Sequence, residues 1–441
     1  MNSFLSAAST RTMDAALAAT LNTSVPNFQE WCVSRDIDAS AVVFTHSAAE
    51  AYGLEAARDL PANAPVITVP LAAAIMQNGA ETGSLEPTHA LALTLCLATQ
   101  VGPDLTPWLS LWPSAGEGAW RFSPEDWASL SWCQEAMALH SAEKSAARQA
   151  YDEKIAPHVP TCPSWERFVW ALSMVGSRAA GVNMSGVAAD GGGTQADRRL
   201  AIIPLVDLLN HRVTPTTCLT YDPSGGGAGT KGGAFVVRTI GPVSKGAALS
   251  ICYGDKENAE LLVAYGFALA RNPSDTAGLR VPIAPDDPLR MIKMGTVPRP
   301  MLELYQKCEE GNEVMGALRW ARLDDDRDAD GRPVDEGAVR LEPSVDPSLE
   351  MLVGIAAATS MGDVMGAMMA GRGAPQSTWP IVQRACTNAL AGLPTGESVR
   401  DAGLRVALQA RRVLLEAAAA MAAREAESGG GMGGGDEEML E

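Results

Sequence analysis

A helical stretch enclosed by strand-like segments constrains this 441-residue chain more than any other feature. From residue 41 to 70 the pattern is β: Val42-Val43-Phe44, then Tyr52-Gly53-Leu54-Glu55-Ala56, then Val66-Ile67-Thr68-Val69. The turn over 58–63, between the last two, has hairpin chemistry. The period then changes. Residues 89–100 form an apolar helical run, and 123–171 carry helical patterning around Trp127, Trp132, Tyr151 and Trp165. Strand patterns return at 200–205, 235–237 and 249–251, before a helical reading over 258–269 that Asn272-Pro273 ends. A short helix over 27–35 precedes the whole. Beyond residue 298 the chain reads as helices at 299–323, 348–371, 378–390 and 398–427, with an acidic loop at 324–330 after the first. The predicted class is α+β: a β-rich domain over 27–273 with a helical insert at about 75–175, then an all-α domain over 285–428.

Charge and cysteine usage remove several function classes. The formal net charge is −18, from 52 acidic and 34 basic side chains, and a chain of that sign repels phosphate backbones. It suits a basic protein or peptide as partner, and solubility explains it equally well. Cys32, Cys96, Cys133, Cys162, Cys218, Cys252, Cys308 and Cys386 never stand at C-x-x-C spacing, so the usual zinc ligand set is missing and no metal is expected. The glycine- and serine-rich loop at 223–233 lacks the Gly-Lys-Ser/Thr order of a phosphate-binding loop. The longest apolar stretch, 352–370, is interrupted by Asp363 and reads as a core helix, not a membrane span. Residues 1–25 are rich in Ser, Thr and Ala with few acids, a composition that suits either a transit peptide or a flexible start; the tail 429–441 is glycine and acid and is expected to be disordered.

Three segments carry chemistry. The first runs from Glu50 through Ala51-Tyr52-Gly53-Leu54 to Leu60, and the second is Ala201-Ile-Ile-Pro-Leu-Val-Asp-Leu-Leu-Asn-His211. The third is Gly246-Ala-Ala-Leu-Ser-Ile-Cys-Tyr-Gly-Asp-Lys-Glu-Asn-Ala-Glu-Leu-Leu-Val-Ala-Tyr-Gly-Phe267. Taken singly, Asn210 suits a turn cap, His211 a satisfied core histidine, Tyr253 and Tyr265 core aromatics, and Arg178 a surface ion pair.

In this order the three segments resemble the SET-domain protein methyltransferases, and most closely the branch of the Rubisco large-subunit lysine methyltransferases and actin-histidine methyltransferases. The likeness runs from about residue 27 to 273 and accounts for the helical block, which that branch inserts within its SET domain. It implies a pseudoknotted β-rich SET domain, a helical C-terminal domain that docks the protein substrate, and S-adenosylmethionine as donor with S-adenosylhomocysteine as product. By the same resemblance Asn210 and His211 hold the donor, with Glu50, Ala51, Tyr52, Arg178, Asp207 and Tyr265 around it. Tyr253 matches the active-site tyrosine. Arg178, Val182, Asp207, Tyr221, Tyr253, Tyr265 and Phe267 would border the acceptor. Partners implied are a protein presenting a lysine, Rubisco large subunit or an aldolase by family analogy, with no nucleic acid and no membrane; the implied location is the chloroplast stroma, with the cytoplasm as alternative.

Departures from the pattern shape the expectation. Ala51-Tyr52-Gly53 keeps one of the usual two hairpin glycines, and Arg212 follows His211 where the branch often has Ser. Val206 and Ala180 stand where members acting on histidine carry a bulky aromatic and an asparagine, which favours lysine as acceptor. Histidine methylation is the rival within enzymes, and a non-catalytic SET-fold binding module is the rival outside them.

Overall fold

A computed structural model describes residues 15–47, 51–77, 85–101, 104–130, 132–185, 198–225, 232–283, 286–296, 313–322, 341–345, 347–369, 378–396, 399 and 401–428. The acidic loop at 324–330, the tail 429–441, Glu50 and the centre of the glycine-rich loop lie outside the described residues. The chain divides into two compact units, Met1–Trp120 with Lys144–Tyr253, and Arg121–Glu143 with Gly254–Glu441.

The first described element is a helix, Ala15–Ser34, which takes in residues 15–25 of the segment read as either a transit peptide or a flexible start. Four alanines in its first turns favour a helix, and Phe28 and Trp31 stack at 5.8 Å to anchor its end in the core. Strands β1 (Val42–Ser47) and β2 (Ala51–Ala56) form an antiparallel hairpin, from Val42 opposite Ala56 to Ser47 opposite Ala51. The remaining strands are β3 (Pro65–Pro70), β4 (Ile75–Met76), β5 (Ala179–Asn183), β6 (Arg198–Ile202), β7 (Asn210–His211), β8 (Thr217–Asp222), β9 (Ala234–Thr239) and β10 (Ala248–Ile251). They assemble into three small sheets, ordered β1-β2-β10-β7, β3-β9-β8 and β4-β6-β5.

The expected hairpin across residues 58–63 does not form. Strand β3 pairs with β9, and β2 with β1 and β10, so the segment passes from one sheet to another. Its turn residues serve that crossing: Leu60 bridges Val243, and Asn63, at φ 59, donates its N–H to the Thr239 carbonyl at 2.9 Å. The helical insert holds as expected, with helices Pro87–Val101, Gln134–Ala150 and Trp165–Arg178, although residues 121–143 group with the second unit. One core joins these layers, including Phe28, Leu54, Ile67, Leu95, Trp108, Phe168, Leu205, Phe235 and Leu249.

The second unit is helical in its C-terminal part but not all-α, which corrects the sequence expectation. Strands β11 (Thr276–Pro282), β12 (Glu313–Arg322) and β13 (Leu341–Val345) form an antiparallel sheet. The residues of β12 are mostly helix formers, hence the expected helix over 299–323; pairing along both edges overrides that preference. Helices Pro347–Ala357, Trp379–Ala391 and Ala402–Ser428 pack around the sheet on a core of Leu279, Leu352, Val382 and Leu414, and the helix Met361–Met369 packs against the first of them. The single helix expected over 348–371 is two. Ser360 and Asp363 close a reciprocal cap, with Ser360 N–H donating to Asp363 Oδ2 at 2.8 Å and Asp363 N–H to Ser360 Oγ at 3.2 Å, and that starts a new helix. The helix Asn258–Tyr265 belongs to this unit because Asn258 donates from its backbone and its amide to Asp275, at 3.0 and 2.8 Å.

Candidate active site

Strand order brings the first two chemical segments and residues 246–253 of the third together in the first unit. Asn210 and His211 form β7, which runs parallel to β10 with Ser250 opposite Asn210 and Ile251 opposite His211. On its other edge β10 pairs with β2, so residues about 160 positions apart in sequence become neighbours. The Asn210 amide donates to the Tyr52 carbonyl at 3.4 Å. Gly53 permits that approach: a Cβ there would lie 3.1 Å from Asn210 Nδ2 and 3.2 Å from Thr45 Oγ1. Tyr52 packs edge-on against His46 at 5.1 Å.

Beyond β10 the chain turns so that Tyr253 meets His211 twice. The Tyr253 backbone N–H donates to His211 Nδ1 at 3.1 Å, and the two rings lie 5.2 Å apart. The Tyr253 phenol donates to the Leu209 carbonyl at 2.9 Å. With its hydrogen so engaged, the phenol meets any further group as an acceptor. His211 is buried, and burial, helped by the nearby Arg212 cation, lowers its pKa to about 4. The imidazole is therefore neutral at pH 7 and carries its hydrogen on Nε2, since Nδ1 accepts.

That neutrality is a stability statement. Between pH 6.5, the ordinary value, and about 4, the unfolded chain binds a proton at His211 that the folded chain refuses. His211's contribution is thus complete above the upper value and is lost as pH falls. Across that window the stability advantage of the wild type over His211→Asn is expected to shrink by roughly 3 kcal/mol, read from urea midpoints.

A second cluster adjoins the first through the turn at 203–208. Leu205, fully buried, sits at φ 68, a conformation that costs a branched residue roughly 1–3 kcal/mol. It turns the chain into the short helix Val206–Leu208, whose Asp207 points inward. Asp207 Oδ2 accepts from both Trp108 Nε1 and Trp112 Nε1 at 2.9 Å. Arg178, the last residue of its helix, donates through Nη1 to the Asp207 carbonyl at 3.2 Å and through Nη2 to Glu117 at 2.6 Å. Its guanidinium lies 5.3 Å from the Trp112 ring. Burial raises the Asp207 pKa to about 6, against the opposing pull of the Arg178 charge and the two indole hydrogen bonds. Arg178 Nε and Asp207 Oδ1 are shielded from solvent without a hydrogen-bond partner. An orphan donor and an orphan acceptor on adjoining residues fit a ligand that carries both kinds of group.

Of the residues singled out from sequence, the first unit joins Tyr52, Asn210, His211 and Tyr253 in one cluster and Arg178 with Asp207 in the other. The Ala51 backbone pairs opposite Ser47, and Val182 is buried on β5. Tyr221 lies on β8 with its ring 5.6 Å from Phe235. Tyr265 and Phe267 belong to the second unit, their rings 5.9 Å apart. Trp108, Trp112, Glu117 and the Leu209 carbonyl were not anticipated. The Trp108-x-x-x-Trp112 spacing was a visible sign of two indoles on one side of a turn; a main-chain carbonyl leaves no trace in sequence. Among the described residues no cluster of His, Cys, Asp or Glu could hold a metal ion, and no helix is long and apolar enough to cross a membrane.

No protein-family model matches the chain. Among proteins of known activity it is similar to the ribosomal lysine N-methyltransferase set10 of Schizosaccharomyces pombe, 31% identical over 125 residues that make up 28% of this chain and 20% of that one. It is also similar to the actin-histidine N-methyltransferase of Mus musculus, 23% identical over 296 residues, 62% of this chain and 47% of that one. The chain thus spans less than half the length of either relative. Among solved structures, the SET domain of LSMT bound to lysine and AdoHcy superposes with a TM-score of 0.63 at 18% identity, covering 92% of both chains. Rubisco LSMT bound to AdoMet gives 0.61 at 16% identity over the same shares. The chain has the SET-domain fold.

Proposed function

We propose that this chain is an S-adenosylmethionine-dependent protein methyltransferase that transfers a methyl group to lysine Nε of a protein substrate. The observation that carries the reading is the junction at Tyr253: its phenol bonded to the Leu209 carbonyl and its backbone bonded to a neutral His211, beside Asn210. Solved structures of this fold hold AdoMet or AdoHcy, and one holds lysine as well, which supports donor and acceptor class together.

When bound, S-adenosylmethionine supplies an electrophilic methyl group on a sulfonium centre. The chain's own residues then align and desolvate. Asn210, His211 and the Tyr52 backbone hold the donor, with Arg178 and Asp207 offering the orphan hydrogen-bonding groups. The Tyr253 oxygen, turned acceptor by its bond to Leu209, orients an incoming amine along the displacement axis. A charged amine has no lone pair, and desolvation beside a cation favours its neutral form, so a strong base is unnecessary. Gly53 sets how near the hairpin comes to Asn210; Gly53→Ala, whose Cβ makes Asn210 and Thr45 give way by a few tenths of an ångström, is expected to reduce methyl transfer about tenfold while the fold is kept, checked by initial rates and thermal melting.

Lysine as acceptor rests on Val206 and Ala180, small side chains at positions where enzymes acting on histidine differ. The histidine reading is favoured by similarity to actin-histidine methyltransferases over a larger share of the chain than to the lysine enzymes. Incubating the purified protein with isotope-labelled donor and cell extract, followed by peptide mass spectrometry, separates the two. Label on lysine is the expected result; label on histidine alone overturns the acceptor assignment, and no transfer with no donor binding overturns the activity. Rubisco large subunit and aldolases are the first substrates to try, in keeping with a stromal location.

A further inference from the structure

The loop before residue 120 supplies the site with a residue outside all three chemical segments. The Trp170 indole donates to the Pro113 carbonyl at 3.1 Å, fixing the start of the loop on the helix Trp165–Arg178. Gly116, at φ 88, comes so near that helix that a Cβ would lie 3.0 Å from Ser173 Oγ. Gly118 follows at φ 59 and is buried. The loop therefore tracks the helix from residue 170 past 173 towards its end, and the glycines on either side of Glu117 let its side chain reach Arg178 at 2.6 Å.

Both charges are largely withdrawn from water, with the Arg178 side chain 10% and the Glu117 side chain 26% exposed. The guanidinium is held at three points: Nη2 by Glu117, Nη1 by the Asp207 carbonyl, and its face by Trp112. Nε has no partner and is shielded from solvent, and the other contacts fix its direction. A guanidinium pinned in this way holds its Nε–H in a single orientation.

We propose that Glu117 is a positioning residue for donor binding: it acts through Arg178, locking the guanidinium in the one orientation in which it meets the bound donor. The inference rests on the donor-site reading above. It separates Glu117 from Tyr253, because a locked Arg178 affects how tightly the donor is held and not how fast the aligned methyl moves.

The test compares wild type, Glu117→Gln and Glu117→Ala by calorimetric titration with S-adenosylmethionine, steady-state kinetics and thermal melting. Glu117→Gln retains a side-chain oxygen and holds the test open should Glu117→Ala fail to fold. The expected result is donor Kd weakened about tenfold in Glu117→Ala and about threefold in Glu117→Gln, with kcat at saturating donor within about twofold of wild type. An unchanged Kd in a folded variant overturns the proposal, and so does a fall in kcat with donor affinity intact. Should the wild type itself bind no donor, the donor-site reading fails, and positioning is then read directly by isotope-edited NMR. The Arg178 Nε–H signal, assigned by its loss in Arg178→Lys, is expected to vanish or broaden in the Glu117 variants; a signal unchanged by them overturns the role of Glu117 independently.

Discussion

Replacing Tyr253 by phenylalanine is expected to lower kcat by roughly 10²–10³-fold while leaving donor affinity within about threefold. The substitution removes one oxygen and keeps the ring that faces His211 at 5.2 Å, so the packing of the site survives. Two things are lost with that oxygen. The acceptor proposed to orient an incoming amine disappears, and the Leu209 carbonyl loses the donor now 2.9 Å away. The second loss costs stability of about 1 kcal/mol, since Tyr253 is half-buried and water can replace part of the bond. Single-turnover rates with labelled donor measure the first effect, and urea denaturation the second. Near-normal turnover in the phenylalanine variant would remove Tyr253 from the reaction.

Arg178→Met carries the other large effect, and it tests the cluster without assuming an activity. Methionine matches much of the volume but none of the charge, leaving the Glu117 carboxylate and the buried Asp207 without their cation. Breaking a largely buried pair from one side is expected to destabilise by ~2–4 kcal/mol, reduced from the fully buried case because Glu117 retains some water. The pH dependence has a definite sign. Asp207 already titrates at about 6, above the ordinary 3.8, so its ionisation opposes folding as pH rises through that interval. The Arg178 charge is what holds that value down. Without it the value climbs further, the penalty extends to higher pH, and the stability gap between wild type and variant widens from pH 5 to pH 8. Denaturation midpoints at several pH values measure the gap; a constant gap would show that Arg178 and Asp207 do not interact electrostatically.

Much of this architecture was legible in sequence where local pattern and tertiary demand agree. Val42-Val43-Phe44 and Phe235-Val236-Val237 are β-branched or aromatic runs, and they are strands. Residues 89–100 repeat at helical spacing, and they lie in the helix Pro87–Val101. Legibility failed where the partner of a segment lies far along the chain. Nothing local in β12 distinguishes a strand from a helix, because its pairing with β11 and β13 decides. Residues 58–63 have turn chemistry, yet which strands they join depends on Val243 and Thr239, some 180 positions away. The same division holds at the site. Asn210, His211 and Tyr253 were recognisable as residue types in an ordered set of segments, whereas Glu117 is an ordinary acid between two glycines until the loop is seen lying along the helix that ends in Arg178.

The file of aromatic rings leading to Asp207 gives the molecule a built-in optical readout. Trp31 lies 5.7 Å from Trp108, Trp108 lies 5.3 Å from Trp112, and Trp112 lies 6.1 Å from Trp170. Excitation migrates readily among indoles so closely spaced, and two of the four are tied through their N–H groups to one carboxylate oxygen. Any event that protonates, displaces or screens that oxygen is expected to alter the emission of the file, so a ligand bound beside Asp207 would report itself by intrinsic fluorescence with no added label.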